Sequence, residues 1–351
     1  MFSLPQKESP AREPKPIGVT TRSDRLRVLL TCSPRWRIHE QFLQRCQQDD
    51  LAREQVEWIV VSPDEMRAEV LEQAEVMVCG HFVREWFMHC RRLRWIQFLG
   101  AGIEGSLSEE LLASDIILTN ASGVHAIPIA EHVFGMMLCF ARGLHRCVRQ
   151  QIRAEWNRDG FGEQVRELHG ATLGVVGLGA IGEAVAQRGK AFGMRVLAMR
   201  RRVQQPPDCA DVLLPPERLH DLLRESDCVV LCVPLTSETR GMVGEPELRQ
   251  MRRDAILINI SRGQVVDQSA LIRALQEGWI AGACLDVFDP EPLPADSPLW
   301  TMSSVIISPH VSGVTPHYGA RAAEIFVTNL HAYLDGDVGA MVNVVDKQAG
   351  Y

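Results

Sequence analysis

Nothing in this 351-residue chain is apolar for long enough to cross a bilayer as a helix. The longest run near the middle, VFGMMLCFA over 133–141, lies between His132 and Arg142 and has nine residues. A spanning helix needs about twenty, so this run reads as a buried helix face. Long runs of a single charge are also missing. The 37 basic and 44 acidic side chains give a formal charge of -7, which provides no general surface for nucleic acid. Ten cysteines are present, but no CxxC pair or metal-ligand spacing, so zinc and a disulfide framework are both disfavoured. Reduced, buried thiols in a cytoplasmic protein are the expectation. Residues 1–25 are rich in proline and charge and have no apolar signal core; they read as a flexible N-terminal tail. No internal repeat stands out.

What remains is an ordinary globular composition, 46% apolar and 23% charged, in a chain long enough for two domains. Short apolar runs at 26–30, 56–61, 76–79, 95–99 and 116–119 alternate with helical patterns, which predicts an α/β domain with a parallel sheet. A long helical pattern over 128–151 follows, with Pro128 near its start, where a missing amide hydrogen costs little. Strands are then expected at 173–176, 196–199, 228–233, 255–260, 283–287 and 305–308, with helices between most of them. This pattern predicts a Rossmann-like, doubly wound parallel sheet. A last helix over 319–334 needs an apolar surface and would return to the first domain. The expected division is a substrate-binding domain at 26–123 completed by 311–345, and a dinucleotide-binding domain at 124–310, with a ligand cleft between them.

Gly177, Gly179 and Gly182 form a GxGxxG turn that follows a strand and opens a helix. The first permits the tight turn, the second lets the backbone approach a pyrophosphate, and the third lets the helix pack on the strand. The amides of Ala180 and Ile181 would face the anion at the helix start. One further residue type is absent. The end of the next strand, where an NAD-binding protein usually places an acid for the ribose hydroxyls, carries Arg200, Arg201 and Arg202 instead. Arginines can pair with a 2′-phosphate, so NADP(H) is expected, with NAD(H) as the alternative. Arg200 and Arg201 are the chosen contacts, and Arg202 reads as solvent-facing.

Three later segments place polar groups at strand ends, where such sheets hold ligands: Asn259-Ile-Ser-Arg262-Gly263, Asp286 to Glu291, and Ser308-Pro-His310. Carbonyl reduction by hydride needs a proton donor, a group to orient the donor and a group to fix the substrate. His310 can donate the proton, Glu291 can hold its other ring nitrogen, and Arg262 can pair with a carboxylate or carbonyl. His132, on an apolar helix, reads as a satisfied packing or interface residue.

These motifs, with Leu231-Cys-Val-Pro234-Leu-Thr236-Ser-Glu-Thr239, Leu285-Asp286-Val-Phe-Asp-Pro-Glu291 and Pro128-Ile-Ala-Glu131-His132-Val, closely resemble the D-isomer-specific 2-hydroxyacid dehydrogenases. The resemblance spans roughly 75–335. It implies a catalytic set of Arg262, Glu291 and His310, and a smaller flavodoxin-like α/β substrate domain. It also implies a substrate carboxylate held by the amides of Ala101 and Gly102, with Arg262 contributing. Pro234 and Thr239 are expected near the nucleotide, Asp286 near the nicotinamide end, and a homodimer formed through the long helix. The implied reaction passes hydride between NADP(H) and a small 2-oxo acid such as glyoxylate or hydroxypyruvate. The alternatives are an NAD-dependent D-2-hydroxyacid or phosphoglycerate dehydrogenase, and a dinucleotide-sensing corepressor-like binding protein. Neither a nucleic acid, a membrane nor a metal is an expected partner.

Overall fold

The computed structural model describes residues 25–31, 38–201 and 205–347; Arg202 and most of the expected tail lie outside them. The described residues fall into two compact units, one made of those up to Ala121 and from Gly319 onward, the other of those between Ser122 and Tyr318.

The first unit holds β1 (Leu26–Thr31), β2 (Val56–Val61), β3 (Val76–Cys79), β4 (Trp95–Phe98) and β5 (Ile117–Thr119). They pair in parallel in the order β2-β1-β3-β4-β5, the flavodoxin-like order. All four side chains of β3 and of β4 are buried, as expected for strands covered on both faces. The C-terminal helix Tyr318–Leu334 packs within this unit. Its Phe326 ring stacks on Trp95 at 5.1 Å and lies 5.4 Å from Phe42 and 5.6 Å from Trp58. Buried Asn329 reaches Gln97 Oε1 at 3.1 Å and takes the Val342 amide at 2.7 Å, so the helix is fixed by polar contacts as well as by aromatic area.

The second unit contains β6 (Thr172–Val176), β7 (Arg195–Met199), β8 (Val212–Leu214), β9 (Cys228–Leu231), β10 (Ile256–Asn259), β11 (Gly282–Leu285) and β12 (Val305–Ile307). The sheet is parallel, in the order β12-β11-β10-β9-β6-β7-β8. The topological switch falls between β6 and β9, where doubly wound sheets bind nucleotides. β8 is an extra edge strand that the apolar pattern had not disclosed. It has three residues, and two prolines follow it at 215 and 216.

The long helix expected over 128–151 is two helices, Ala126–Ala141 and Leu144–Ile152, bent by 72°. Gly143 breaks it, with φ +66°, a left-handed conformation that glycine adopts without penalty. The first helix buries Val133, Phe134, Met136 and Met137 and packs on the helix Ala180–Ala191, so most of the apolar run is core. No single described helix is long and apolar enough to cross a membrane.

The second unit continues past residue 310 to Tyr318. The amides of Val311 and Ser312 donate to Asp286 at 3.0 Å each, and the Tyr318 ring lies 5.0 Å from that of His125. These contacts hold 311–318 to this unit, at the end of β11 and at the start of the helix Ala126–Ala141. None of the nine described cysteines is disulfide-bonded.

Candidate active site

β10, β11 and β12 are neighbours in the sheet, and each is followed by one of the three candidate catalytic residues. After β10, buried Asn259 shapes the turn: its Oδ1 accepts from the Ser261 amide at 3.1 Å and hydroxyl at 2.8 Å, and its Nδ2 donates to the Arg262 carbonyl at 3.1 Å. Arg262 Nη1 donates to the Ser261 carbonyl at 2.8 Å. A side chain at Gly263 would run into the Phe288 carbonyl, so the Arg262 turn and the segment after β11 must pack backbone to backbone.

After β11, Glu291 is fixed at both oxygens. Oε1 accepts from the Phe288 amide at 2.9 Å, and Oε2 lies 2.8 Å from His310 Nδ1. A carboxylate only accepts, so Nδ1 carries the hydrogen and Nε2 is the nitrogen left for chemistry. After β12, His310 has φ +53°, unusual for a residue with a side chain. Its amide donates to the Asp286 carbonyl at 2.9 Å, and its side chain is 52% exposed. The geometry suits a half-exposed imidazole that delivers a proton from Nε2, oriented by a carboxylate behind it.

Asp286 lies beneath the loop that carries His310. It is fully buried, and its carboxylate accepts from the Ser308 hydroxyl at 2.5 Å and from the amides of Val311 and Ser312. Both oxygens are committed to the loop that carries His310.

His125, just before the helix Ala126–Ala141, lies beside the Arg262 charge. Burial, then that charge, holds its imidazole below the ordinary value. Gly313 packs against it; an added Cβ there would sit 3.0 Å from His125 Cδ2. The Tyr318 hydroxyl, on a ring 5.0 Å from that of His125, is pushed up to about 12 by burial.

The glycine turn follows β6. Gly177 has φ +101°, and a Cβ there would crowd the Cys232 backbone at 2.9 Å. A Cβ on Gly182 would strike the Gly177 carbonyl, whereas one on Gly179 would meet nothing within 4 Å. The turn is thus packed beneath and open above Gly179, the shape that an approaching pyrophosphate requires. Ala180 and Ile181 open the helix Ala180–Ala191, with Gly179 as its cap. Arg200 and Arg201 are exposed just after β7, and Arg200 Nη1 is 3.8 Å from Glu183 Oε1 on that helix. After β9, Thr239 Oγ1 donates to the Pro234 carbonyl at 2.6 Å and accepts the Thr236 amide at 2.8 Å, closing a turn beside exposed Pro234. In the first unit, Ala101 and Gly102 lie on the loop after β4, where the Ala101 carbonyl accepts from Asn120 Nδ2 at 3.3 Å. Among the described residues no group of three His, Cys, Asp or Glu could hold a metal ion.

Residues 134–312 match the model of the D-isomer specific 2-hydroxyacid dehydrogenase NAD-binding domain. The chain belongs to that family. The glyoxylate reductase of Thermococcus kodakarensis is 41% identical over 262 residues, covering 72% of this chain and 77% of that protein. The glyoxylate reductase of Korarchaeum cryptofilum is 40% identical over 258 residues with the same coverage. Among solved structures, a D-isomer specific 2-hydroxyacid dehydrogenase from Xanthobacter autotrophicus, in complex with NADPH and MES, superposes with a TM-score of 0.76 at 28% identity, covering 92% of this chain and 99% of that one. As a family member the chain is a two-domain Rossmann-like dehydrogenase whose cofactor is a nicotinamide dinucleotide.

Proposed function

We propose that this dehydrogenase reduces a small 2-oxo acid of the glyoxylate or hydroxypyruvate type to the D-2-hydroxy acid, with NADPH preferred over NADH. The observation that carries the reading is the His310 Nδ1 to Glu291 Oε2 contact of 2.8 Å, one strand from Arg262. The glyoxylate reductases among the relatives support the substrate class.

The bound reduced dinucleotide supplies a hydride to C2 of the 2-oxo acid. His310 donates the proton on Nε2 to the carbonyl oxygen, while Glu291 keeps the Nδ1 hydrogen and holds the ring in orientation. Arg262 stabilises the charge developing on that oxygen and pairs with the carboxylate. The amides of Ala101 and Gly102 are assigned to the carboxylate as well. Gly177, Gly179 and Gly182, with the amides of Ala180 and Ile181, hold the pyrophosphate; Pro234 and Thr239 border the nucleotide. Arg200 and Arg201 take the 2′-phosphate. The 3.8 Å Arg200–Glu183 pair draws on the same guanidinium and favours a second reading in which NADH also serves.

A homodimer is part of the reading. Leu144, Val148 and Ile152 recur every fourth residue on the helix Leu144–Ile152 and are 49%, 54% and 79% exposed, an apolar stripe that a second copy can cover. The unpaired thiols fit a reducing cytoplasm. Initial rates on glyoxylate, hydroxypyruvate, pyruvate and 3-phosphohydroxypyruvate, each with NADPH and NADH, test the proposal. Fast reduction of the first two with NADPH is expected. A preference for 3-phosphohydroxypyruvate with NADH would replace it with the phosphoglycerate alternative, and no turnover of any acid would favour the dinucleotide-sensing one.

A further inference from the structure

The loop that presents His310 is held by a chain of polar contacts that begins on a different element. Ser308 Oγ donates to Asp286 Oδ1 at 2.5 Å. Its hydrogen is therefore committed, and its lone pair faces His132 Nε2 at 2.9 Å, so Nε2 of His132 is the donor in that contact. His132 lies on the helix Ala126–Ala141, 176 residues from Ser308 in sequence. The same carboxylate takes the amides of Val311 and Ser312, so residues on both sides of His310 bind one buried acid. His310 itself, at φ +53°, donates its amide to the Asp286 carbonyl. A left-handed residue with a side chain persists only where its surroundings over-determine it, and here they do so on both flanks.

We propose that His132 is a positioning residue for His310, acting through Ser308 and Asp286 on the loop that carries the imidazole. The inference rests on the proton-donor role given to His310 above. His132 sets which way the Ser308 hydroxyl points: with its lone pair taken by Nε2–H, the hydroxyl hydrogen stays on Asp286. Without that donor the hydroxyl can rotate, and the carboxylate loses its shortest contact to the loop. The Nε2 edge of His132 is itself only 3.8 Å from Asp286 Oδ1, so the ring also closes that side of the acid. A displacement of about 1 Å at the reacting group is enough to cost on the order of a hundredfold in rate; partial loosening of this loop should cost about tenfold.

The test uses the full-length enzyme with a saturating 2-oxo acid. His132→Phe should lower kcat about tenfold or more, with the KM for NADPH within twofold of wild type. His132→Gln, whose amide nitrogen can replace Nε2, should recover most of that loss, whereas His132→Asn, which is too short, should not. Ser308→Ala should reproduce the loss, and the His132→Phe/Ser308→Ala double variant should be no worse than Ser308→Ala alone. Unchanged kcat in His132→Phe, equal values for the Gln and Asn variants, or additive losses in the double variant would overturn the inference. Should His132→Phe fail to fold, the comparison of Gln with Asn decides. A wild-type enzyme that reduces no 2-oxo acid would refute the proposed reaction instead. The His310 Nδ1 proton resonance then decides this inference: a shift in His132→Asn that is absent in His132→Gln supports it, and no shift in either overturns it.

Discussion

Replacing Glu291 with Gln should lower kcat by two to three orders of magnitude. The carboxylate accepts at both oxygens, from the Phe288 amide at 2.9 Å and from His310 Nδ1 at 2.8 Å. A glutamine amide has one acceptor oxygen and one donor nitrogen, so it can satisfy only one of the two. If its oxygen turns to His310, its NH2 faces the Phe288 N–H and a partly buried donor loses its partner, at a cost of about 1–3 kcal/mol. If its oxygen turns to Phe288, its NH2 faces Nδ1, and the imidazole is left with Nδ1 as an acceptor. It can then hold only the Nε2 hydrogen, and giving that up would leave an anionic ring. Either arrangement also forfeits a charge-assisted contact, itself worth about 1.5–3 kcal/mol. The combined loss of about 3–4 kcal/mol at the transition state corresponds to roughly 10²–10³ in rate. Steady-state kinetics with glyoxylate and NADPH provide the assay, with NADPH binding followed separately by fluorescence. The loss should fall on kcat and leave NADPH affinity nearly unchanged. A kcat within threefold of wild type would refute the assignment of His310 as the donor oriented by Glu291.

Two neighbouring glycines should separate folding from binding. Gly182→Ala, whose methyl would strike the Gly177 carbonyl, should cost about 1–3 kcal/mol of stability, seen as a lower Tm without cofactor; Gly179→Ala, with nothing within 4 Å, should keep Tm and lose NADPH affinity. Equal Tm losses in both would contradict the reading of the turn. Phe326→Ala should cost about 3–5 kcal/mol, since the ring is fully buried among Trp95, Phe42 and Trp58; urea unfolding measures it, and a loss under 1 kcal/mol would show that the aromatic cluster does not hold the last helix. Burial and Arg262 depress His125 below its ordinary 6.5, so the unfolded chain takes up this proton first as pH falls. Its contribution to stability is therefore complete above about 6.5 and is lost as pH drops toward the folded-state value; Tm measured over this range should fall less steeply in His125→Gln, and identical slopes would exclude His125 as a source.

Most of both sheets was legible because buried parallel strands are continuous apolar runs. β3, β4, β9, β10 and β11 each bury every residue, so period and length alone found them. β8 escaped because three residues at a sheet edge need little apolar surface. The bend at Gly143 escaped because apolar residues continue at helical spacing through Leu144, Val148 and Ile152; only the glycine marked the stop. The glycine turn and the candidate catalytic residues are local in sequence and were readable as motifs. Contacts such as His132 with Ser308 join residues 176 apart, and no local pattern encodes them. Asp286 likewise takes a role that no local pattern announces: its burial and three donors make it part of the scaffold under His310.

The sheet order also separates cofactor choice from chemistry. Arg200 follows β7 and His310 follows β12, five places apart in the order β12-β11-β10-β9-β6-β7. At about 4.8 Å per strand that is about 24 Å, more than twice the screening length of about 10 Å at ordinary ionic strength. A charge removed at Arg200 therefore cannot act on the His310 proton through the field. On the proposed assignment, its route to the reaction is the affinity for the phosphate-bearing end of NADPH. Arg200→Ala should then raise the KM for NADPH about tenfold or more, leave the KM for NADH within twofold, and leave kcat at saturating cofactor unchanged with either. Among the described residues the Arg200 guanidinium pairs with Glu183 at 3.8 Å on the surface, a contact worth little to the fold, so Tm should hold as well. Equal rises in KM for both cofactors would place Arg200 outside phosphate recognition, and a fall in kcat would show that the two ends of this sheet are coupled mechanically rather than through charge.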